Sequence, residues 1–212
     1  ATFAVAADES ITGWKYADGT AVSENKVTLG DNDVYLTPVV EKGYWVTYSA
    51  GAGASYLAPK FYAANAATVR PTDPTYAGYT FGGWYTDSSY TGSAFTFGTA
   101  YGSNVTLYAK WTPSTNTKYT VIHMLQTVDG TGYAFKELQE KTGTTGAMTS
   151  ATSKTYTGFT AQTVTQQTIA GDGSTIVRIN YTRNSYTVTF YKAWGSSVKL
   201  GTFSAKYGED VS

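Results

Sequence analysis

The stretch GYTFGGWYTDSSYTGSAFTF, residues 78–97, carries seven aromatic side chains among twenty residues. Gly, Ser and Thr supply most of the rest, and Asp87 is the only charged residue in it. Aromatic side chains favour strands because flat rings pack well on a pleated surface. Glycines between them favour tight turns. The stretch therefore predicts either the core of a small β-domain or a surface on which sugar rings stack.

The composition of the whole chain of 212 residues agrees with strands joined by tight turns, since it holds 22 Gly and 19 Tyr. Charged residues make up 14% and the formal net charge is zero. There is no basic stripe, which argues against a nucleic-acid partner. The complete lack of Cys at this low charge favours an exported bacterial protein that avoids thiol chemistry. No run of eighteen apolar residues occurs, so we expect no membrane insertion in this segment and an anchor outside it.

Two motifs recur along the chain. Gly13-Trp14 precedes Gly83-Trp84 by 70 residues. An alternating aromatic and β-branched motif, typical of a half-buried strand, occurs three times, as YWVTY (44–48), YTVIH (119–123) and YTVTF (186–190). This spacing predicts four units: the back part of a first repeat at 1–43, a complete repeat at 44–117, another at 118–184, and the front hairpin of a further repeat at 185–212.

Within these units we predict mainly strands, including a long hairpin around the DGTG turn at 129–132. The segment GAMTSATSKTY, 146–156, is the best helix candidate. The two terminal units read as incomplete, and trimming of a longer protein is the explanation we favour. The alternative is head-to-tail self-association, in which the hairpin of one copy completes the first unit of the next and builds a fibre.

Residues 69–97, followed by NVTLYAKW at 104–111, resemble the internalin-type B-repeats of bacterial surface proteins. The residues that carry this likeness are Pro71, Pro74, Gly78, Tyr79, Phe81, Gly83, Trp84, Tyr85, Leu107, Tyr108, Ala109 and Trp111. The first unit keeps part of the pattern in Gly13, Trp14, Val34 and Leu36. The unit 118–184 is similar to mucin-binding-protein (MucBP) repeats in Gly143, Gly146, Tyr156, Gly158 and Phe159.

These resemblances imply a mainly β fold, α+β at most, in which tandem small β-grasp-like domains form an elongated array. They imply the stalk or adhesive region of an extracellular protein at the bacterial cell surface or cell wall, with no catalytic activity and no cofactor. The recurring aromatic and aliphatic positions would then form a structural core: Trp14, Tyr79, Phe81, Trp84, Leu107 and Trp111.

Catalytic and metal-binding residue patterns are sparse. His123 is the only histidine, and its place in an alternating strand favours a core-edge or surface residue over a catalyst. We therefore expect no histidine-based triad and no zinc site of several His or Cys ligands. Almost every Asp lies in a turn signature, which explains it without function. In GDND, residues 30–33, Asp31 and Asp33 are candidate calcium ligands, although we favour a polar hairpin tip.

Carbohydrate binding is the main functional alternative to a spacer. Exposed aromatic faces stack on sugars, and the candidate residues are Tyr62, Tyr85, Tyr90 and Tyr101. Three exposed coplanar rings would favour such a site, whereas scattered rings are normal on strands. The partner would be a host or environmental glycan, or a protein that pairs with an open sheet edge. We expect no Lys–Asn or Thr–Gln cross-link, because no signature marks one.

Overall fold

The computed structural model describes residues 3–210, apart from the side chain of Asn25. The predicted mainly β fold is confirmed: within that range the only helical segment is a short 3-10 turn at Ser23–Asn25. The strands are β1 (Glu9–Tyr16), β2 (Leu36–Ser49), β3 (Lys60–Ala63), β4 (Tyr79–Tyr85), β5 (Val105–Pro113), β6 (Thr117–Gln126), β7 (Tyr133–Gly143), β8 (Phe159–Ala161), β9 (Ile176–Arg183), β10 (Ser185–Tyr191) and β11 (Lys199–Lys206).

The chain divides into two compact units. The first contains the residues up to Tyr76 together with Thr80–Thr112. The second contains Ala77–Tyr79 together with the residues from Pro113 onwards. Each unit has its own cluster of buried apolar side chains.

The sheet of the first unit is built around β2. The first half of β2 pairs antiparallel with β1, and its second half pairs antiparallel with β3 and parallel with β5. β4 lies beyond β5. Side chains alternate along a strand, and Tyr44, Val46 and Tyr48 share the buried face. Only glycine fits at Gly43, because a Cβ there would lie 2.0 Å from the carbonyl oxygen of Tyr62.

β2 runs without a break across the predicted repeat boundary between residues 43 and 44. Residues on both sides of that boundary belong to the first unit. The division into four repeats at 1–43, 44–117, 118–184 and 185–212 therefore stays a prediction.

The second unit contains a four-stranded sheet in the order β7-β6-β9-β8. β6 and β7 form the predicted long hairpin, and β6 runs parallel to β9. This is the arrangement of β3, β2, β5 and β4 in the first unit, where a hairpin strand also pairs in parallel with a later strand. The unit ends in a separate antiparallel hairpin of β10 and β11.

The helix predicted at 146–156 is wrong, because this segment is extended. Gly146 has φ +80°, which is outside the right-handed helical region. Met148 forms an isolated bridge with Thr168. The side-chain amide of Gln166 bonds to both backbone groups of Ala151, accepting from its N–H at 2.9 Å and donating to its carbonyl at 2.8 Å. Long-range bonds of this kind replace the internal bonds of a helix.

Candidate functional site

The opening aromatic stretch supplies part of the core of the first unit. Trp84 is 1% exposed, and Leu107 is fully buried in the same cluster. The rings of Tyr48 and Phe81 lie 5.1 Å and 5.4 Å from the ring of Trp84. The backbone reaches this position through Gly83, whose φ of +106° is a conformation that glycine adopts without strain.

The other predicted core residues are less buried. Phe81 and Trp111 are half-buried and pack against the cluster, and the indole N–H of Trp111 donates to the carbonyl of Ala50 at 2.8 Å. Trp14 is half-buried against the ring of Phe3, with the ring centroids 4.8 Å apart. Tyr79 is half-buried and is not part of the cluster that contains Trp84.

The four tyrosines predicted to stack on sugars do not form a flat platform. Tyr62 is 5% exposed, so its ring is buried and sugar stacking there is wrong. Its hydroxyl donates to the carbonyl of Val69 at 3.2 Å. The rings of Tyr85 and Tyr90 meet at 79°, which is nearly perpendicular. Tyr101 is exposed, but its ring is tilted against another aromatic ring at 55°.

His123 is completely buried in the second unit and lies in a hydrogen-bonded network. The hydroxyl of Tyr181 accepts from the backbone N–H of Lys154 at 2.8 Å. The same hydroxyl lies 2.8 Å from Nδ1 of His123, to which it can donate its proton. Nε2 lies 3.4 Å from the side-chain oxygen of Gln139, an acceptor, and this arrangement fits an imidazole with its proton on Nε2. With no exposed surface and both nitrogens engaged, His123 is a packing residue of the interior.

Three polar groups lie next to this network. The hydroxyl of Tyr156 donates to the carboxylate of Glu137, which also accepts from Nζ of Lys154 at 2.8 Å. The bond from Lys154, and next the bond from Tyr156, lower the pKa of Glu137. Burial, followed by the bond to that carboxylate, raises the pKa of Tyr156. Both pKa shifts mean that Glu137 is ionised and Tyr156 is protonated. The bond between them is therefore a structural hydrogen bond.

The aspartates lie mainly in turns. Asp129 accepts from the hydroxyls of Thr127 and Thr131, and these bonds lower its pKa to about 2. Asp31 and Asp33, the calcium candidates, are both exposed. Among residues 3–210, no group of three or more His, Cys, Asp or Glu side chains is close enough to hold a metal ion. The same range contains no helix with the length and hydrophobicity needed to span a bilayer.

The sequence interpretation missed the most exposed tryptophan of the described chain. It did not single out Trp194, which lies within the predicted hairpin at 185–212. β10 ends at Tyr191, and Trp194 lies on the turn that follows. The ring is fully exposed. The signal was present in the sequence, because Gly195 and two serines directly after the tryptophan favour a turn.

The comparison with protein families identifies one segment. Residues 44–110 match the family model of the Listeria-Bacteroides repeat domain, a bacterial surface repeat family. No curated protein matches the chain. The matched segment runs from the second half of β2 to β5. The repeat family is non-enzymatic and is found in bacterial surface proteins, which indicates an extracellular location.

The narrower likenesses remain predictions. These are the likeness of 44–117 to internalin B-repeats and that of 118–184 to MucBP repeats. A β-grasp-like fold for each repeat is also a prediction. The class that the match supports is a bacterial surface protein that contains repeats.

Proposed function

We propose that this chain is a non-catalytic stalk or adhesive region of a bacterial cell-surface protein, which projects other parts of that protein from the cell wall. The observation that carries the proposal is the match of residues 44–110 to a surface repeat family. The second unit supports it, because a hairpin strand again pairs in parallel with a later strand at 117–183. A fold that uses one supersecondary pattern twice suits a spacer, since length increases by adding similar units.

The side chains that could serve catalysis or sugar binding also favour a spacer. His123 and Tyr181 are residue types that enzymes use in catalysis, but both are buried in the second unit and hydrogen-bonded to each other. A catalytic group must reach substrate in a pocket, and these side chains have no exposed surface. The tyrosines proposed for sugar stacking, Tyr85 and Tyr90, pack edge to face and leave no coplanar platform.

The location is tested on intact cells of the bacterium that encodes the chain. Antibodies raised against the folded chain should label intact cells, and mild protease treatment should remove the label while a cytoplasmic marker stays protected. Labelling that requires permeabilised cells would contradict a surface stalk. Shortening the chain within the parent protein should reduce the distance at which its outer domains are reached by antibodies.

Self-association is a second candidate function, favoured by the face of the β10–β11 hairpin. Tyr186 and Phe190 are each 51% exposed. At the same two positions of the recurring motif, Tyr44 and Tyr48 in the first unit and Tyr119 and His123 in the second are at most 9% exposed. The strands that carry them pair with a parallel strand as well as with a hairpin partner, whereas β10 pairs with β11 alone in the part of the chain that the structure describes. A strand edge without a neighbour pairs readily with another chain.

In this candidate function the hairpin of one copy is completed by residues of the next, head to tail. Static light scattering over a range of concentrations tests it. Assembly that increases with concentration, and that disappears when residues 185–212 are deleted, supports self-association. A chain that stays monomeric at high concentration excludes it.

A further inference from the structure

The tip of the β10–β11 hairpin carries Trp194 with its ring exposed to solvent. The backbone N–H of Ser196 donates to the carbonyl of Ala193 at 3.0 Å, closing a four-residue turn. Gly195 has φ +75°, the conformation that glycine supplies at the third position of a type II turn. Trp194 is therefore at a turn corner, where its ring is fully exposed. It makes no ring-ring contact with any residue in the described range 3–210.

A missing sheet partner does not explain this exposure. The tips of the two covered hairpins are exposed as well, at Gly51–Gly53 and at Val128–Asp129. A hairpin that is extended by a further strand of its sheet therefore still has its tip in solvent. The other two tips carry no aromatic ring at the turn itself: one holds Gly51, Ala52 and Gly53, and the other holds Val128 and Asp129, although Tyr56 is exposed further along the first connection. Trp is enriched among the residues that contribute most to binding at protein surfaces, so a fully exposed Trp at a turn corner is a candidate binding residue.

The surroundings of Trp194 fit a polar ring better than an aliphatic partner. The tip forms an open groove of about 630 Å³ lined by Tyr191, Ala193, Trp194, Gly195, Ser196 and Ser197. Its walls combine two aromatic side chains with two hydroxyls and two residues too small to obstruct a ligand. An aromatic face next to hydroxyls can stack on a sugar ring and bond to its hydroxyl groups.

The charge of the hairpin selects an anionic ligand. Residues 185–206 contain Lys192, Lys199 and Lys206 and no acidic residue, although the whole chain has zero net charge. Lys199 lies opposite Tyr191 in the ladder, and the N–H of Lys192 donates to the carbonyl of Val198, so the backbones of both lysines adjoin residues of the groove, although neither lysine lines it. Neither has an ion-pair partner in the part of the chain that the structure describes.

We propose that the tip of the β10–β11 hairpin binds an anionic glycan. In this site, the ring of Trp194 stacks on a sugar face, and Lys192 and Lys199 pair with carboxylate or sulfate groups of the glycan. The site uses the hairpin alone and does not depend on whether the chain acts as a stalk. It moves carbohydrate recognition from the tyrosines of the first unit to a part of the second unit.

The test uses the full chain and calorimetric titration with hexagalacturonate, a carboxylated hexasaccharide, against neutral maltohexaose. We expect binding of hexagalacturonate and much weaker binding of maltohexaose. Trp194→Ala should weaken binding of hexagalacturonate about tenfold or more, since stacking on an aromatic ring is a substantial part of such affinities. The double variant Lys192→Gln, Lys199→Gln should weaken binding and remove most of its dependence on salt.

Tyr90→Ala is the matched control, because it removes an exposed aromatic ring from the first unit. It should leave the affinity for hexagalacturonate unchanged. The melting temperature of the Trp194 variant should equal that of the native chain, since its ring packs on nothing. Unchanged affinity of that variant would overturn the site. So would equal or tighter binding of phosphatidylglycerol vesicles or of a single-stranded DNA oligomer, which would point to a lipid or to charge alone.

Discussion

Truncation of Trp84 tests the assignment of the opening aromatic stretch to a core. The side chain is 1% exposed and packs between Tyr48 and Phe81, at ring-centroid distances of 5.1 Å and 5.4 Å. Removing a buried Trp to Ala loses its transfer free energy and leaves a cavity, together worth about 3–5 kcal/mol. The indole N–H has no hydrogen-bond partner among residues 3–210, so the loss comes from packing.

That loss is large against the stability of a small unit, which is about 5–15 kcal/mol. At about 4 °C per kcal/mol, Trp84→Ala should lower the melting temperature of the first unit by roughly 12–20 °C. Differential scanning calorimetry of the full chain measures this shift. Trp194→Ala is the matched control, since it makes the same chemical change at an exposed ring and should change stability by less than about 0.5 kcal/mol.

A second variant reduces the buried volume at the same position by a smaller step. Trp84→Phe keeps an aromatic ring but removes part of the buried indole, so we expect a loss of stability smaller than that of Trp84→Ala. If Trp84→Ala melts within a degree or two of Trp194→Ala, the ring is not a core element. The interpretation of residues 78–97 as a structural core would then be refuted.

Three further predictions concern the fold and its chemistry. Gly158→Ala should destabilise the second unit by more than about 1 kcal/mol, measured by urea unfolding. Gly158 has φ +81°, and a Cβ there would lie 2.1 Å from the ring of Tyr207. Gly201→Ala is the control and should not destabilise the unit, because nothing lies within 4 Å of the added Cβ. Burial raises the pKa of both Tyr48 and Tyr156 above the ordinary value of 10.0. The stability contributed by these two phenols should therefore be present below pH 10.0 and be lost as the pH rises above that value. Phe at both positions should reduce this loss of stability, and an unchanged pH profile would contradict the prediction. We expect no Thr–Gln cross-link, because the hydroxyl of Thr149 donates to the amide oxygen of Gln166 at 2.7 Å as an ordinary hydrogen bond. The intact mass should therefore equal the calculated mass, and a mass lower by one ammonia would reveal a cross-link.

The strands were predictable because their periodicity is local. Tyr119, Val121 and His123 alternate along β6, and this alternation alone indicates a half-buried strand. The order of the strands was not predictable in the same way. The parallel pairing of Val46 with Val105 joins residues far apart in sequence, and neither segment contains information about its partner.

Errors occurred where local patterns are short or weak. β3 has only four residues, so the face to which Tyr62 belongs depends on a single step of register, and a slip of one residue exchanges the buried and solvent faces. The segment 146–156 has weak amphipathicity, and its bonds to Gln166 and Thr168 come from outside the segment. The tip at Trp194 was missed because the aromatic run of β10 obscured the end of the strand.

The sheet that contains β2 and β5 and the sheet that contains β6 and β9 show how one backbone pattern accepts different side chains. Tyr48 and His123 hold the same place in the recurring motif, opposite Leu107 and Ile179 in the parallel ladders. Two residues beyond those partners, the first unit has Ala109 and the second has Tyr181.

All four of these side chains are buried: Tyr48, Ala109, His123 and Tyr181. The larger ring of Tyr48 accompanies the small Ala109, and the smaller imidazole of His123 accompanies the large Tyr181, with which it forms a hydrogen bond. Close-packed interiors conserve volume in this way, so each pair is a matched set. Exchanging a single member would overfill one core or leave a cavity in the other, where the hydroxyl of Tyr181 would also lose its bond to His123. The likeness between the units therefore lies in the spacing of strand positions, and a model of one unit cannot be extended to the other by residue identity alone.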